Sequence, residues 1–184
     1  MIPCPIAYWK KQRPEAFAID LITYSQLDEW IQSLSEKLIH FPEEIIAFTP
    51  QYRPLDVALF FAIWRVNKAA YPLNFRLPKK AIKQRLILTG AKWFEPSIGK
   101  EKLELSELDE IPLATLIETS SSKKIVCHSL KSLVISCQSA TQALGLKQES
   151  RYCLNLPLFH IAGIATCLRS FLAGATLLTQ MLQN

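Results

Sequence analysis

IIAFTPQYRPLDVALFFAIWRVNKAAYPL, residues 45–73, is the stretch on which the fold turns. Ile45-Ile46-Ala47-Phe48 is an apolar run of strand length. Leu55 to Val66 is apolar on nearly every side, the composition of a helix buried between layers rather than one with a wet face. Asn67 stands where that helix must end, and asparagine tolerates a left-handed conformation better than most residues. Ala69-Ala70-Tyr71-Pro72-Leu73 then returns to extended chain. A strand, a buried helix and a strand in this order are the unit of an α/β protein with a largely parallel sheet.

The alternation continues on both sides. Upstream, Phe17-Ala18-Ile19 and Ile22-Thr23-Tyr24 read as two strands joined by a turn. Ser25 is the expected N-cap of a helix whose apolar stripe is Leu27, Trp30, Ile31, Leu34 and Leu38, with Asp28, Glu29, Glu36 and Lys37 off that stripe. Downstream, Lys79 to Leu88 is helical with Gly90 as its C-cap, and Lys92-Trp93-Phe94 is a strand. Residues 95–112 are polar and acidic, carrying Glu95, Glu101, Glu104, Glu107, Asp109 and Glu110, and read as a linker. Leu113 to Glu118 and Ile125-Val126-Cys127 are strands on either side of the polar run Thr119 to Lys124. Ser129 caps a helix with the stripe Leu130, Leu133, Val134, Cys137, Thr141 and Leu144, closed by Gly145. Arg151 to Leu156 is a strand, Ile161 to Leu172 a helix stopped by Gly174, and Ala175 to Leu178 a last strand, whose sheet the sequence leaves uncovered on one side. The expected organisation is a first α/β portion (1–94), the acidic linker (95–112) and a second portion (113–184).

Composition narrows the classes. With 49% hydrophobic and 10% aromatic residues the chain is neither disordered nor collagen-like. Its longest unbroken apolar run, Val57 to Trp64, is far short of the roughly 20 residues of a spanning helix, and the start shows no secretory pattern. The five cysteines are widely spaced with no C-x-x-C pair, which excludes the usual zinc and redox motifs and suits a reducing cytoplasm. Net charge is +5. The basic stretch Arg76, Lys79, Lys80, Lys83 and Arg85 lacks interleaved stacking aromatics, so it reads as a solvated helix face and no nucleic acid is expected as partner. Only five glycines occur, where average usage would place roughly 13.

Four stretches together resemble the N-terminal part of the adenylate-forming enzymes. These are Thr23-Tyr24-Ser25-Gln26-Leu27, Ala69 through Pro78 (AAYPLNFRLP), the polar run from Thr119, and Asn155 through Gly163 (NLPLFHIAG). Their order holds from about residue 20 to the end. The tail, with Leu168-Arg169-Ser170 and Leu172-Ala173-Gly174-Ala175-Thr176, is most similar to the o-succinylbenzoate–CoA ligases. The resemblance implies layered, largely parallel sheets flanked by helices, truncated before the C-terminal domain. It also implies an acid–CoA ligase chemistry: adenylation of an aromatic carboxylate by ATP and Mg²⁺, then thioester formation with CoA.

In that resemblance Thr119, Ser120, Ser121, Ser122 and Lys124 occupy the ATP phosphate loop. Such a loop uses glycines so that backbone N–H groups face the phosphates without a Cβ in the way; hydroxyls and a lysine add donors and charge. Here the hydroxyls and Lys124 remain, but the glycines and about three residues of length are gone. The same residues taken alone are a polar hairpin turn. His160 and Gly163 fall in the acyl-substrate pocket of the family pattern; taken alone, His160 is a helix-start histidine satisfied by nearby backbone. Arg169 is either a snorkelling or capping residue or part of a pocket for an acidic substrate. His40 and His128 read as structural, Tyr71 and Trp64 as core aromatics. No catalytic residue and no metal ligand is assigned. The family's "Y-G-x-T-E" segment, a later ribose-binding aspartate and the C-terminal lysine do not occur in these residues. The expectation is therefore a ligase fragment inactive alone, the alternatives being a non-catalytic α/β binding module or one half of a split ligase whose partner is a separate C-terminal fragment.

Overall fold

A computed structural model describes residues 4–97, 114–119 and 124–179. Six helices and nine strands follow in chain order. They are α1 (Pro5–Gln12), β1 (Phe17–Ile19), β2 (Ile22–Thr23), α2 (Tyr24–Leu38), β3 (Ile45–Phe48), α3 (Pro54–Arg65), β4 (Ala69–Pro72), α4 (Lys79–Thr89) and β5 (Lys92–Trp93). Then come β6 (Thr115–Glu118), β7 (Ile125–His128), α5 (Leu130–Ala143), β8 (Arg151–Cys153), α6 (Ile161–Ala173) and β9 (Thr176–Leu178).

The strands form two sheets, ordered β2-β1-β9-β8 and β5-β3-β4-β6-β7. Pairing is parallel except where β1 meets β2 and β6 meets β7, so the α/β class and the largely parallel sheets stand. Each sheet takes strands from both sides of the acidic stretch: β6 joins β4 at Ala70↔Thr115, and β9 joins β1 at Ile19↔Leu177. Of that stretch, residues 98–112 lie outside the described ones.

Side chains along the five-stranded sheet alternate between two cores, as a pleat requires. Ile46, Phe48, Ala70 and Ile117 belong to the large core shared with α2, α3, α6 and the other sheet. Ala47, Ala69, Tyr71, Leu73 and Leu116 face the opposite way, under Ile82 and Leu86 of α4. Nine consecutive residues of α3, Asp56 to Trp64, are buried, which is why its sequence has no polar face. Asn67 is left-handed at φ 58°, and Gly90, Gly145 and Gly174 close α4, α5 and α6 at positive φ.

Several expectations change. The cap of α2 is Thr23, not Ser25: its hydroxyl accepts from the Gln26 N–H while the Gln26 side chain accepts from the Thr23 N–H, a reciprocal capping box that Ser25 cannot form. Leu144 is exposed and leaves the α5 stripe. Asp28 and Glu36 are buried on α2. Asp28 is shared between Lys10 of α1, at 2.8 Å, and Arg65 of α3. Burial alone would push its carboxyl up, but the two cations outweigh it and hold it below its ordinary value. α1 was not anticipated, although Pro at its first turn and the Ile6/Trp9 spacing are signals for it. The last strand, β9, lies between β1 and β8 with α6 packed on it. It is an interior strand, because the order of a sheet is not the order of the chain.

Candidate functional site

Two places collect the residues singled out above, and the carboxyl ends of the parallel strands organise both. From β4 the chain leaves through α4 to β5, beyond β3; from β6 it turns the other way to β7. The carboxyl ends of β4 and β6, a parallel pair, lie side by side, and open α/β sheets bind ligands at the carboxyl ends of their strands.

At the end of β6 the Thr119 N–H donates to the Lys124 carbonyl at 2.8 Å, and the Lys124 N–H donates to Thr119 Oγ1 at 3.1 Å. These bonds continue the ladder by one pair past Glu118↔Ile125. Ser120, Ser121 and Ser122 lie outside the described residues. The last strand residue, Glu118, has both oxygens engaged. Arg85 of α4 donates from Nε at 2.5 Å and from its terminal nitrogen at 2.9 Å, and the Tyr71 hydroxyl of β4 donates at 2.5 Å. Burial and the neighbouring Glu118 carboxylate push the Tyr71 phenol far up, so it stays a donor. Arg85 thus leaves the solvated face it was assigned to: it is tied to the sheet by a two-pronged ion pair. Tyr71 is a core aromatic with a working hydroxyl. Neither role was visible in sequence, since α4, β4 and β6 meet only in the fold.

The second place joins two of the quoted motifs. After β4, Asn74 Oδ1 accepts from the Arg76 N–H at 2.9 Å and the Asn74 carbonyl accepts from the Leu77 N–H at 3.0 Å, which fixes the turn that carries Phe75. Phe75 meets Phe159 edge-on at 6.1 Å, and Phe159 lies 4.7 Å from the His160 ring. His160 is the N-cap of α6; its backbone N–H donates to the Pro157 carbonyl at 3.0 Å, while its imidazole makes no cap bond. Gly163 is buried where α6 crosses the Leu156–Pro157 backbone, and a Cβ there would sit 2.7 Å from the Leu156 carbonyl oxygen. Its absent side chain lets the helix approach.

Arg169 turns back on its own helix, donating to the Ala165 carbonyl at 3.1 Å and lying over the Tyr152 ring at 5.6 Å. His40 is exposed; His128, half-buried, accepts on its carbonyl from the Ala114 N–H. Trp64 is buried and donates to the Ala114 carbonyl at 2.8 Å. Between α3 and α6 a void of about 10 Å³ is lined by apolar residues such as Phe61, Trp64 and Ile164, at most the room of one water. Among the described residues, no group of three or more His, Cys, Asp or Glu is placed to hold a metal ion. No described helix is long and apolar enough to cross a membrane. Both carboxylate oxygens of Glu118 are already engaged by Arg85 and Tyr71.

No protein-family model and no curated protein matches the sequence. Solved structures do match. The R195K form of E. coli MenE, with bound OSB-AMS, superposes at TM-score 0.84 with 18% identity, over 100% of this chain and 47% of that one. The o-succinylbenzoate coenzyme A synthetase of Bacillus subtilis, in complex with ATP and magnesium ion, gives 0.82 with 23% identity, over 99% and 59%. VinN, in complex with L-aspartate, gives 0.77 with 21% identity, over 95% and 55%. The chain therefore shares its α/β fold with part of these proteins and spans about half of their length.

Proposed function

We propose that these 184 residues are the N-terminal part of an ATP-dependent acid–CoA ligase of the o-succinylbenzoate–CoA type. The observation that supports the reading is that segments 74–76 and 157–163, far apart in sequence, meet through Phe75 and Phe159 within a fold that superposes on such ligases along the whole chain. Under this reading the His160 ring and the start of α6 form one wall of the pocket for an aromatic carboxylate. A complete enzyme of this class would join that carboxylate to AMP from ATP with Mg²⁺, release pyrophosphate, and pass the acyl group to the CoA thiol with release of AMP.

Under the same reading this polypeptide by itself does not turn over. The stretch 119–124 has no glycine to let backbone N–H groups crowd a phosphate, and the Glu118 carboxylate just before it is engaged by Arg85. An ATP–pyrophosphate exchange assay with the purified chain and o-succinylbenzoate tests this: exchange no faster than blank is expected, and turnover above blank refutes it. The coherent core beside the glycine-free stretch 119–124 also favours a second reading, a non-catalytic α/β module that binds an aromatic acid. A cooperative melt of the 184-residue chain, with acid binding but no rescue of exchange when the second half of a related ligase is supplied, selects that module. Rescue selects a split ligase. On both readings a cytoplasmic site of action is expected.

A further inference from the structure

Arg76 differs from three other guanidinium groups of the fold. Arg53, Arg65 and Arg85 each hold a carboxylate. The Arg76 guanidinium has no ion pair or hydrogen bond among the described residues; it lies over the Phe75 ring, 5.5 Å from its centroid. Phe75 keeps 38% of its surface open, although Leu73 two residues earlier is buried. From Phe75 the rings continue to Phe159 and His160, so a cation stands at one end of a row of three aromatic rings. The two hydrogen bonds of the Asn74 turn hold that end in place.

A third oddity lies in the backbone. Tyr52, in the loop leaving the carboxyl end of β3, is left-handed at φ 61°, a strained conformation for a bulky side chain that persists only where surroundings impose it, commonly at ligand sites. Burial raises its phenol, and the charge of Arg76 acts on it in the opposite direction.

We infer that Arg76 and the Phe75–Phe159–His160 row form one recognition surface for an aromatic carboxylate, the guanidinium taking the acid group and the rings the flat body. The inference rests on the acyl-pocket reading of His160 and adds to it the residue that reads charge. The chemistry suits the geometry: a guanidinium fork matches a carboxylate with two parallel hydrogen bonds, and aromatic rings pack edge-on or offset against a ring at this spacing. An exposed ion pair alone discriminates weakly in water, so the rings must shed water from one side of the pair before the charge counts.

The test is an NMR titration of the 184-residue chain with 2-benzoylbenzoate, its methyl ester and cyclohexanecarboxylate. The acid should bind about tenfold more tightly than the ester, as charge-assisted hydrogen bonds predict, and more tightly than the alicyclic acid. Arg76→Gln should bring the acid-to-ester ratio close to one while leaving ester affinity unchanged. Lys80→Gln, which removes an equal charge from a neighbouring exposed position, should leave the ratio as it was. Melting curves confirm that the variants fold. Equal binding of acid and ester by the unaltered chain overturns the proposal, as does a ratio that Arg76→Gln and Lys80→Gln change alike. If His160→Ala abolishes binding while Arg76→Gln leaves the ratio unmoved, the acyl pocket stands and Arg76 falls. If the ratio depends on Arg76 and His160→Ala has no effect, the acid site stands and the pocket falls. No binding of any probe overturns both.

Discussion

Replacing Gly163 by alanine measures directly how closely α6 is seated. The added Cβ would fall well inside contact distance of the Pro157 carbonyl oxygen and 2.7 Å from both the Leu156 carbonyl oxygen and the Pro157 carbonyl carbon. Atom pairs of this kind are comfortable only from about 3.5 Å, so helix and chain must part by more than an ångström. The obstructing atoms are backbone and cannot swing aside. Leu158 anchors that backbone in the core, and the His160 N–H is bonded to the same Pro157 carbonyl. Overpacking costs about 1–3 kcal/mol, and the upper end applies where backbone must move. Alanine returns up to about 1 kcal/mol through its better helix propensity. The net loss is about 2 kcal/mol, which for a chain of this size lowers Tm by roughly 4–8 °C. Thermal melts followed by circular dichroism, with urea midpoints as a second measure, give the value. Gly145→Ala is the reference: no atom lies within 4 Å of its Cβ, and the strain comes only from φ 61°, about 1 kcal/mol. A Gly163→Ala variant that melts with the unaltered chain, or above Gly145→Ala, would refute the packing account of this glycine.

Three other perturbations probe the contacts that hold the layers together. Asp28→Asn should destabilise the chain at neutral pH. Because the folded carboxyl is held below its ordinary value, the difference from the unaltered chain should be constant above about pH 5, shrink as pH falls through about 4, where the unfolded carboxyl takes up its proton, and level off only once the folded carboxyl has done so; a Tm series against pH reads this. Glu118→Ala leaves the Arg85 fork and the Tyr71 hydroxyl without their acceptor and should cost about 1–3 kcal/mol. A double-mutant cycle with Arg85→Ala should show coupling of about 1 kcal/mol, and additive losses would mean that the pair does not hold α4 to the sheet. At Tyr52 both Gly and Ala remove the same ring contacts, but only Gly accepts φ 61° without strain. Tyr52→Gly should therefore be about 1 kcal/mol more stable than Tyr52→Ala in urea unfolding.

Much of the secondary structure was legible because it rests on local repeats. The 3.6-residue stripe of α2, the all-round apolar run of α3 and the glycines at 90, 145 and 174 each locate an element without knowledge of its neighbours. The misplaced cap of α2 shows the limit of local reading. Thr23 and Ser25 both carry a hydroxyl, and the choice falls to the residue whose backbone is extended and whose partner three positions on, Gln26, can answer it. Asp28 was placed on the wet side of its helix because the sequence does not show that Lys10 and Arg65 arrive from two other helices to neutralise it.

The sequence alone determined the α/β class and the motifs at 69–78 and 155–163. It also determined that the stretch 119–124 lacks the glycines a phosphate cradle uses. Those are properties of neighbouring residues and of periodicities that a strand or helix imposes on its own side chains. Only the tertiary structure decided that the strands divide into two sheets, that β9 lies inside one of them, and that Glu118 is engaged by Arg85 and Tyr71. The same holds for the row from Arg76 through Phe75 and Phe159 to His160. The physical reason is that strand order and side-chain meetings depend on which distant surfaces exclude water together, and that choice leaves no periodic trace along the chain.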